Sequence, residues 1–367
     1  MGSSQSIGLN HHWVQSPDLG STRGSLLIVG NFLSSSIGVL GVCEELSDRL
    51  EKIGWRSTRT SRKAGRVQRL KDMVVSVIKH RHQYTLAIVE VYSGRAFLWA
   101  ETVCMALRLL HKPYVLVLHG GMLPSFSQRW PSRVARLLRS AQAVSTPSLY
   151  LQRSFRRWRS EIVHIPNAID IKNYEPVNLQ ATVGFKLCWL RAFHRIYNPE
   201  LAVKVVALLR KQFPEVHLTM IGPDKGDRSL ATTLKLACEL GVRDRIEIIG
   251  AIPKDRVSEY LRTGNVFINT THYESFGVTV LEAAACGLPI VTTNVGELPY
   301  LWENEREVLL VEDDDEDAMA DAIRRILTDP ELTLNLSRNA RQKACRFDWS
   351  VVLPRWHRFL TSVCTDG

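Results

Sequence analysis

Apolar runs about one strand long alternate along this chain with segments whose apolar residues recur at helical spacing. The first run covers residues 26–29, and Cys43, Leu46 and Leu50 follow it on one face of a predicted helix. The other runs predicted to be buried strands are 86–91, 114–118, 143–146, 162–165, 185–190, 217–221, 246–249, 266–269 and 289–292. Strands that are apolar on both faces and separated by helices form parallel sheets covered on both sides, so we predict an α/β fold.

A polar stretch at residues 172–182 divides this pattern into two series. The chain has 367 residues, 45% of them hydrophobic, which is enough for two separate cores. The predicted parts are a disordered leader at 1–24, an N-terminal Rossmann-like domain at 25–172, a linker at 173–183, a C-terminal Rossmann-like domain at 184–346 and a helical segment at 347–367, for which a return to the N-terminal domain is one option. Since ligands of open parallel sheets bind beyond the carboxyl ends of the strands, two such domains facing each other form a binding cleft.

Cellular location and thiol chemistry follow from features that the sequence lacks. No run approaches the roughly 18 apolar residues of a transmembrane helix, and the start has none of the features of a secretory signal. We therefore expect a cytoplasmic protein. The seven cysteines form no C-x-x-C pair, so neither a disulfide nor a zinc site is predicted.

Positive charge is concentrated in the N-terminal half. Residues 1–170 hold 23 Lys and Arg against 10 Asp and Glu, a net charge of +13, whereas the rest of the chain holds 24 against 27. Anionic lipid or a phosphorylated acceptor fits such a field, and a solvated basic face without a partner is an equal alternative. Nucleic acid is not expected as a partner, because no zinc finger or RNP-type sequence accompanies the charge.

The usual dinucleotide-binding signature is missing after the first predicted strand. The glycines there are Gly30, Gly38 and Gly41, which do not form G-x-G-x-x-G, and the chain has no Walker A sequence. A nicotinamide-dependent oxidoreductase is therefore disfavoured.

The most informative segment covers residues 269–299. A strand ends near Asn269, a polar loop begins at Glu274, and a helix of good formers begins at Val278. Backbone N–H groups at that helix start favour an anion. Glu274 and Glu282 are spaced as E-x7-E, and carboxylates accept hydrogen bonds from the hydroxyls of a sugar or ribose.

Four short motifs occur in order along the chain. The first is His119-Gly120-Gly121, directly after a predicted strand. An I-P-N-x-I-D segment follows at 165–170, then the E-x7-E pair, and a closing F-x-W ends at Trp349. By the order and spacing of these motifs, the chain from about residue 26 to 360 resembles the GT-B retaining glycosyltransferases of family GT4.

The resemblance implies two Rossmann-like domains facing across a cleft and assigns roles to individual residues. Glu274 would contact hydroxyls of the donor sugar, Glu282 would hold the donor ribose, and His119 would lie beside the reacting centre. Gly120, Gly121 and Met122 would lie on the acceptor side. The other residues placed on the donor side are Gly38, Gly222, Ser275, Phe276, Gly277 and Val278.

The donor phosphate site departs from the family pattern. The family places an Arg and a Lys about six residues apart after the first strand of the C-terminal domain, whereas this chain has Arg191 and Tyr197. Arg195 is the candidate replacement, because a guanidinium can bind phosphate oxygens bidentately and is always charged. Lys225 is a second candidate cation, and an exposed loop arginine is the alternative reading of Arg195.

An acidic run at residues 312–317 resembles a metal site at first sight. It directly precedes a predicted helix, where carboxylates favour the positive end of the helix dipole, so we interpret it as a helix cap. The resemblance implies that no metal or other cofactor takes part, and that a nucleotide-sugar is the donor substrate.

These features predict transfer of a sugar to a hydroxyl acceptor with retention, in polysaccharide, glycolipid or other glycoconjugate synthesis. Lipid-linked and saccharide acceptors both stay open, as do the sugar and the nucleotide. Two alternatives also stay open: a nucleotide-sugar epimerase of the same fold, and a non-catalytic basic scaffold at a membrane.

Docking on an anionic membrane surface is a further prediction for the N-terminal domain. Arginines recur there at near-helical spacing beside two aromatic residues, so that charge would face lipid headgroups while the aromatic rings lie at the interface. The residues concerned are Phe126, Arg129, Trp130, Arg133, Arg136 and Arg139. Burial of the two aromatic residues in the core is the alternative.

Overall fold

The structure is a computed structural model that describes residues 24–33, 41–178 and 185–365. Two six-stranded parallel sheets with helices on their faces confirm the predicted α/β, two-sheet fold. The predicted leader lies outside the described residues except for residue 24, as do Gly38 and the last part of the predicted linker.

The N-terminal sheet has the strand order β2-β1-β3-β4-β5-β6. Its strands are β1 (Gly24–Val29), β2 (Trp55–Thr60), β3 (Leu86–Val91), β4 (Tyr114–Leu118), β5 (Ala143–Thr146) and β6 (Val163–His164). The helices that accompany it are α1 (Val42–Lys52), α2 (Arg66–Lys79), α3 (Arg95–Leu109), α4 (Leu123–Arg129), α5 (Pro131–Ser140) and α6 (Leu149–Phe155).

The C-terminal sheet has the order β12-β11-β10-β7-β8-β9, the arrangement of a doubly wound dinucleotide-binding sheet. Its strands are β7 (Lys186–Leu190), β8 (His217–Ile221), β9 (Ile246–Gly250), β10 (Val266–Asn269), β11 (Ile290–Thr293) and β12 (Leu309–Val311). Its helices are α7 (Pro199–Leu209), α8 (Ser229–Glu239), α9 (Val257–Leu261), α10 (Val278–Ala285), α11 (Leu298–Leu301), α12 (Glu316–Thr328) and α13 (Pro330–Ala344), and α14 (Trp349–Thr365) ends the described chain.

Two edge strands escaped the sequence prediction. Strand β2 buries only its end residues, Trp55 and Thr60, because it pairs on one side only, with β1. Its arginines therefore point to solvent or to acidic neighbours, and Arg59 pairs with Asp48 at 2.7 Å. Strand β12 is only three residues long. Strand β2 lacks the continuous apolar run by which the central strands were found, whereas β12 lies in a short apolar run at residues 308–311 that the sequence analysis did not assign to a strand.

The chain crosses between the domains twice, and the two crossings pair with each other. The backbone N–H of Ile169 donates to Phe347 O at 3.0 Å, and the N–H of Trp349 donates back to Ile169 O at 3.1 Å. From there α14 packs Trp349, Val352 and Trp356 into the same apolar cluster as Leu26 and Ile28 of β1. The last helix thus lies against the N-terminal sheet. No helix within the described ranges is long and apolar enough to cross a membrane.

Candidate functional site

The C-terminal sheet has a switch point between β7 and β10, whose connections leave in opposite directions. Open α/β sheets bind ligands in the crevice that forms at such a point, beyond the carboxyl ends of the strands. Arg191 is the first residue after β7, and the loop with Glu274 follows Asn269, the last residue of β10. Strand order therefore brings the two predicted residues, 83 positions apart, to one place.

Glu274 is only 7% exposed, and both oxygens of its carboxylate interact with neighbouring groups. One carboxylate oxygen accepts hydrogen bonds from the backbone N–H groups of Ser275 and Phe276, at 3.0 and 3.3 Å. The other forms an ion pair with the guanidinium of Arg191. The Nε of Arg191 in turn donates to Asn269 Oδ1 at 3.2 Å. A cation and a hydrogen-bond acceptor for sugar hydroxyls thus lie side by side at the switch point.

The helix that follows Glu274 begins where the sequence predicted. Gly277, with φ of +91°, precedes α10, and a left-handed conformation of this kind favours glycine. The buried hydroxyl of Thr279 in the first turn has no hydrogen-bond partner in the described part of the chain. This threonine was not predicted; an unpaired hydroxyl at a helix N-terminus suits an anionic ligand.

Glu282, on the same helix, is 4% exposed and accepts a hydrogen bond from the Tyr174 hydroxyl at 2.8 Å. Burial raises the pKa of Glu282, while Lys254, the Tyr174 hydroxyl and Arg191 oppose that rise. Tyr174 lies in the segment that links the domains and had no sequence signal. The structure therefore places Glu282 beside the segment that links the domains.

His119 follows β4 and contacts Glu90, near the end of β3, and Tyr92, the residue after β3. Its Nε2 lies 3.4 Å from Glu90 Oε1, and its ring stacks on Tyr92 with centroids 5.2 Å apart. The Tyr92 hydroxyl donates to Glu90 Oε2 at 3.1 Å, and burial, with the nearby Glu90, raises the pKa of Tyr92. Glu90 and Tyr92 were not predicted, because their role depends on β3 and β4 being neighbours.

The two domains meet at the Glu274 loop. A Cβ added to Gly121, from the N-terminal domain, would lie 2.9 Å from the backbone nitrogen of Glu274. The Glu274 carbonyl accepts from the N–H of Glu297 at 3.1 Å. The Glu297 side chain then reaches the N-terminal domain, where it accepts from Ser148 Oγ at 2.7 Å and Tyr150 N at 2.8 Å. The Glu274 loop is therefore fixed by contacts to both domains.

The remaining predicted donor-side residues lie on loops next to Arg191. Gly222 packs against the Arg191 carbonyl so closely that a Cβ would lie 1.9 Å from its oxygen. The exposed Arg195 and Lys225 lie on two loops joined by a hydrogen bond from Lys225 N to Phe193 O at 3.2 Å. No carboxylate of the described residues pairs with either side chain. On the acceptor side, Met122 is 40% exposed at the start of α4, directly after Gly121.

The acidic run before α12 caps that helix, as predicted. Asp315 Oδ1 accepts from the N–H of Ala318 at 2.8 Å, a contact that typically contributes about 1 kcal/mol. Asp314 accepts from Asn198, and Asp313 pairs with His272 at 2.8 Å. Over the described ranges, no group of three or more His, Cys, Asp or Glu side chains is arranged to hold a metal ion.

Two protein-family models each match a part of this chain. The family described as "Glycosyl transferases group 1" matches residues 173–343, and "Glycosyltransferase Family 4" matches residues 42–173. A D-inositol 3-phosphate glycosyltransferase from Acidothermus cellulolyticus is 36% identical over 158 residues, which cover 41% of this chain and 35% of that protein. The matched regions span 35 to 52% of the length of the first two such relatives.

Solved structures share the whole fold at low sequence identity. Sucrose-phosphate synthase from Thermosynechococcus elongatus has a TM-score of 0.81 at 22% identity, covering 94% of this chain and 100% of that one. The Anabaena protein HepE, in complex with UDP-glucose, has a TM-score of 0.74 at 19% identity, covering 92% and 100%. Both likenesses confirm the GT-B arrangement that the motifs predicted.

Proposed function

The chain belongs to the glycosyltransferases of group 1 and family 4, and we propose that it moves a sugar from a nucleotide-sugar donor to a hydroxyl acceptor with retention at the anomeric carbon. The two family matches together run from residue 42 to residue 343. The observation that carries the proposal is the ion pair of Arg191 and Glu274 at the switch point, with Gly121 of the opposite domain against it. Both halves of a two-substrate site thus meet at one loop.

The proposed step breaks the bond between the anomeric carbon and the diphosphate oxygen. The acceptor oxygen bonds to the same face of that carbon, and its proton passes to the departing diphosphate. Arg191, Arg195 and the N-terminus of α10 would stabilise the charge that develops on the diphosphate. Glu274 would hold donor hydroxyls, Glu282 the ribose, and His119 would lie at the reacting centre with its ring oriented by Glu90.

UDP-sugars are the first donors to examine, because HepE was solved with UDP-glucose. For the acceptor, a hydroxyl compound that carries phosphate fits the +13 charge of residues 1–170 and the name of the Acidothermus relative. Lipid-linked and plain saccharide acceptors belong in the same panel. In the function proposed here, neither a nucleic acid nor a metal or other cofactor takes part.

Thermal unfolding with UDP-, GDP- and ADP-sugars tests the donor part of this proposal. A donor present at 100 times its dissociation constant should stabilise the fold by about 2.7 kcal/mol. The matching activity assay measures nucleoside diphosphate release with mixed acceptors. Release that requires an acceptor supports a transferase, isomerisation of the sugar without an acceptor would indicate an epimerase, and no turnover with any donor would leave the scaffold.

Arg195→Ala tests the replacement of the usual phosphate-binding lysine. If the exposed Arg195 guanidinium binds the diphosphate, its loss should weaken nucleoside diphosphate binding by about 1.5 to 3 kcal/mol, the range for a hydrogen bond to a charged group. Lys225→Ala is the matched control on the adjoining loop. Titration calorimetry measures both, and unchanged affinity in Arg195→Ala would move the role to Lys225 or to backbone N–H groups.

We also propose a peripheral location at the inner face of a membrane, through the outer face of α3 and α5. The structure corrects part of the predicted surface: Phe126 is partly buried against the core residue Phe97, with ring centroids 4.9 Å apart, and Arg133 pairs with Glu101. Trp130 is 43% exposed.

What remains exposed on that face combines apolar and basic side chains. Leu98, Met105 and Leu109 of α3 are 52%, 52% and 73% exposed. Arg108, Arg136 and Arg139 line one groove beside them, and their guanidinium groups form no ion pair with any described residue. Exposed apolar residues flanked by cations are typical of surfaces that lie in the interface of an anionic bilayer.

A further inference from the structure

The guanidinium of Arg191 is held from three sides. Asn269 and Glu274 accept hydrogen bonds from it, as described above. The third side is the ring of Tyr197, whose centroid lies 5.0 Å from the guanidinium carbon. A cation over the face of a tyrosine at this distance is attracted by the ring's negative face. Tyr197 occupies the position at which the family that this chain resembles has a phosphate-binding lysine.

The Tyr197 ring is not what holds its own loop in place. The backbone of that loop is anchored to the loop after β10: Thr270 Oγ1 donates to Tyr197 O at 2.7 Å, and His272 N donates to Ile196 O at 2.8 Å. The next residue, Asn198, caps α7 by accepting from Leu201 N. Replacing the ring therefore leaves these backbone anchors available, and the contacts that are lost are those with Arg191, with the His194 ring and with the apolar core of the C-terminal domain.

The charge of this site differs from that of an Arg and Lys pair. Burial raises the pKa of Tyr197, against the opposing effect of Arg191, so the phenol is neutral over the physiological pH range. Glu274 already neutralises Arg191 in the absence of ligand. A second cation at position 197 would add a like charge beside Arg191, whereas a neutral ring attracts it.

We infer that Tyr197 is a positioning residue for the donor diphosphate: its ring holds the Arg191 guanidinium in the switch-point crevice. The inference rests on the proposed function, since it assumes that a nucleoside diphosphate is the ligand. The sequence showed only that position 197 lacks the lysine of the family pattern. The ring contact indicates that the residue at this position holds Arg191 and does not bind phosphate itself.

Binding of UDP, GDP and ADP, measured by titration calorimetry, tests this inference. Tyr197→Phe should bind each ligand as the wild type does, because the ring is kept. Tyr197→Leu should bind about tenfold more weakly, which lies between the values for an exposed and for a desolvated cation–π contact. Phe185→Leu is the matched control: Phe185 packs on the same core cluster, against Phe213, and its loss should leave the affinity unchanged. Tyr197→Met, which keeps more of the side-chain volume without a ring, replaces the leucine variant if that variant does not fold.

A double-mutant cycle with Arg191→Ala separates positioning from a general loss of structure. If the ring acts through Arg191, adding Tyr197→Leu to Arg191→Ala should weaken binding by less than about twofold, because the contact is already gone. A full tenfold loss in that background, or wild-type affinity in Tyr197→Leu, would overturn the inference while leaving the proposed function in place. Wild-type protein that binds none of UDP, GDP and ADP would overturn both.

Discussion

Glu274→Ala is expected to lower kcat by about 10²-fold or more, the size of effect seen when one group that stabilises a transition state is removed. The carboxylate of Glu274 holds Arg191 and would hold the donor hydroxyls, so the substitution removes the acceptor for the sugar and leaves Arg191 without its counter-charge. Steady-state kinetics with saturating donor measures the effect on kcat directly.

Two other variants separate this effect from a loss of the fold. Glu274→Gln keeps the shape and an acceptor oxygen but removes the negative charge, and it should lie between the wild type and the alanine variant. Glu282→Ala should mainly raise the donor KM, because Glu282 would hold the donor ribose, away from the reacting bond. Wild-type turnover in Glu274→Ala would remove Glu274 from the catalytic site.

Central strands were predictable because each is buried on both faces. The strands at 86–91, 114–118 and 217–221 were located to the residue, and so was the start of α10 at Val278. Edge strand β2 was not, because alternation of Arg56 and Arg59 with smaller residues reads as a charged surface segment until its pairing with β1 is known. Sequence periodicity reports burial, and β2 buries only its two end residues, too few to show it.

The site was predictable to the extent that its residues lie in one short motif. Glu274 and the start of α10 needed only local sequence, whereas Glu90, Tyr92 and Tyr174 reach the site through strand order and interdomain packing. Phe126 shows the same limit in reverse. Its helical spacing with the arginines suggested a surface position, and only the packing of α4 on α3 places it against the core residue Phe97.

The Glu274 loop also indicates how domain closure and donor binding are linked. Gly121 contacts its backbone from the N-terminal domain, and Glu297 bonds both to its carbonyl and to the start of α6. Separation of the two domains would therefore remove contacts from the loop that carries Glu274. Closure of the domains would therefore fix the geometry of the Arg191–Glu274 pair. For this reason too, Glu274 is expected to act on kcat.

Replacing Arg108, Arg136 and Arg139 together by glutamine is expected to weaken binding to anionic vesicles by about a hundredfold. Each basic residue near such a surface contributes about 1 kcal/mol, and three of them about 3 kcal/mol, which is a little over two powers of ten. Binding should also fall with added salt, since exposed charges are screened over roughly 10 Å at 0.1 M. Cosedimentation with vesicles of phosphatidylcholine, with and without phosphatidylserine, measures both effects.

A control of equal charge decides whether this face or the overall charge is responsible. Lys211, Arg338 and Arg346 are exposed cations of the C-terminal half, and none of them forms an ion pair within the described ranges. Their replacement by glutamine lowers the net charge by the same amount, so it should leave vesicle binding largely intact if the outer face of α3 and α5 is the docking surface.

A second experiment tests the apolar part of this surface. Replacing Leu98, Met105 and Leu109 by serine should weaken binding even at high salt, because the burial of apolar area does not depend on screening. Equal recovery of the wild type in the supernatant with neutral and anionic vesicles at low salt would exclude docking and favour a soluble acceptor.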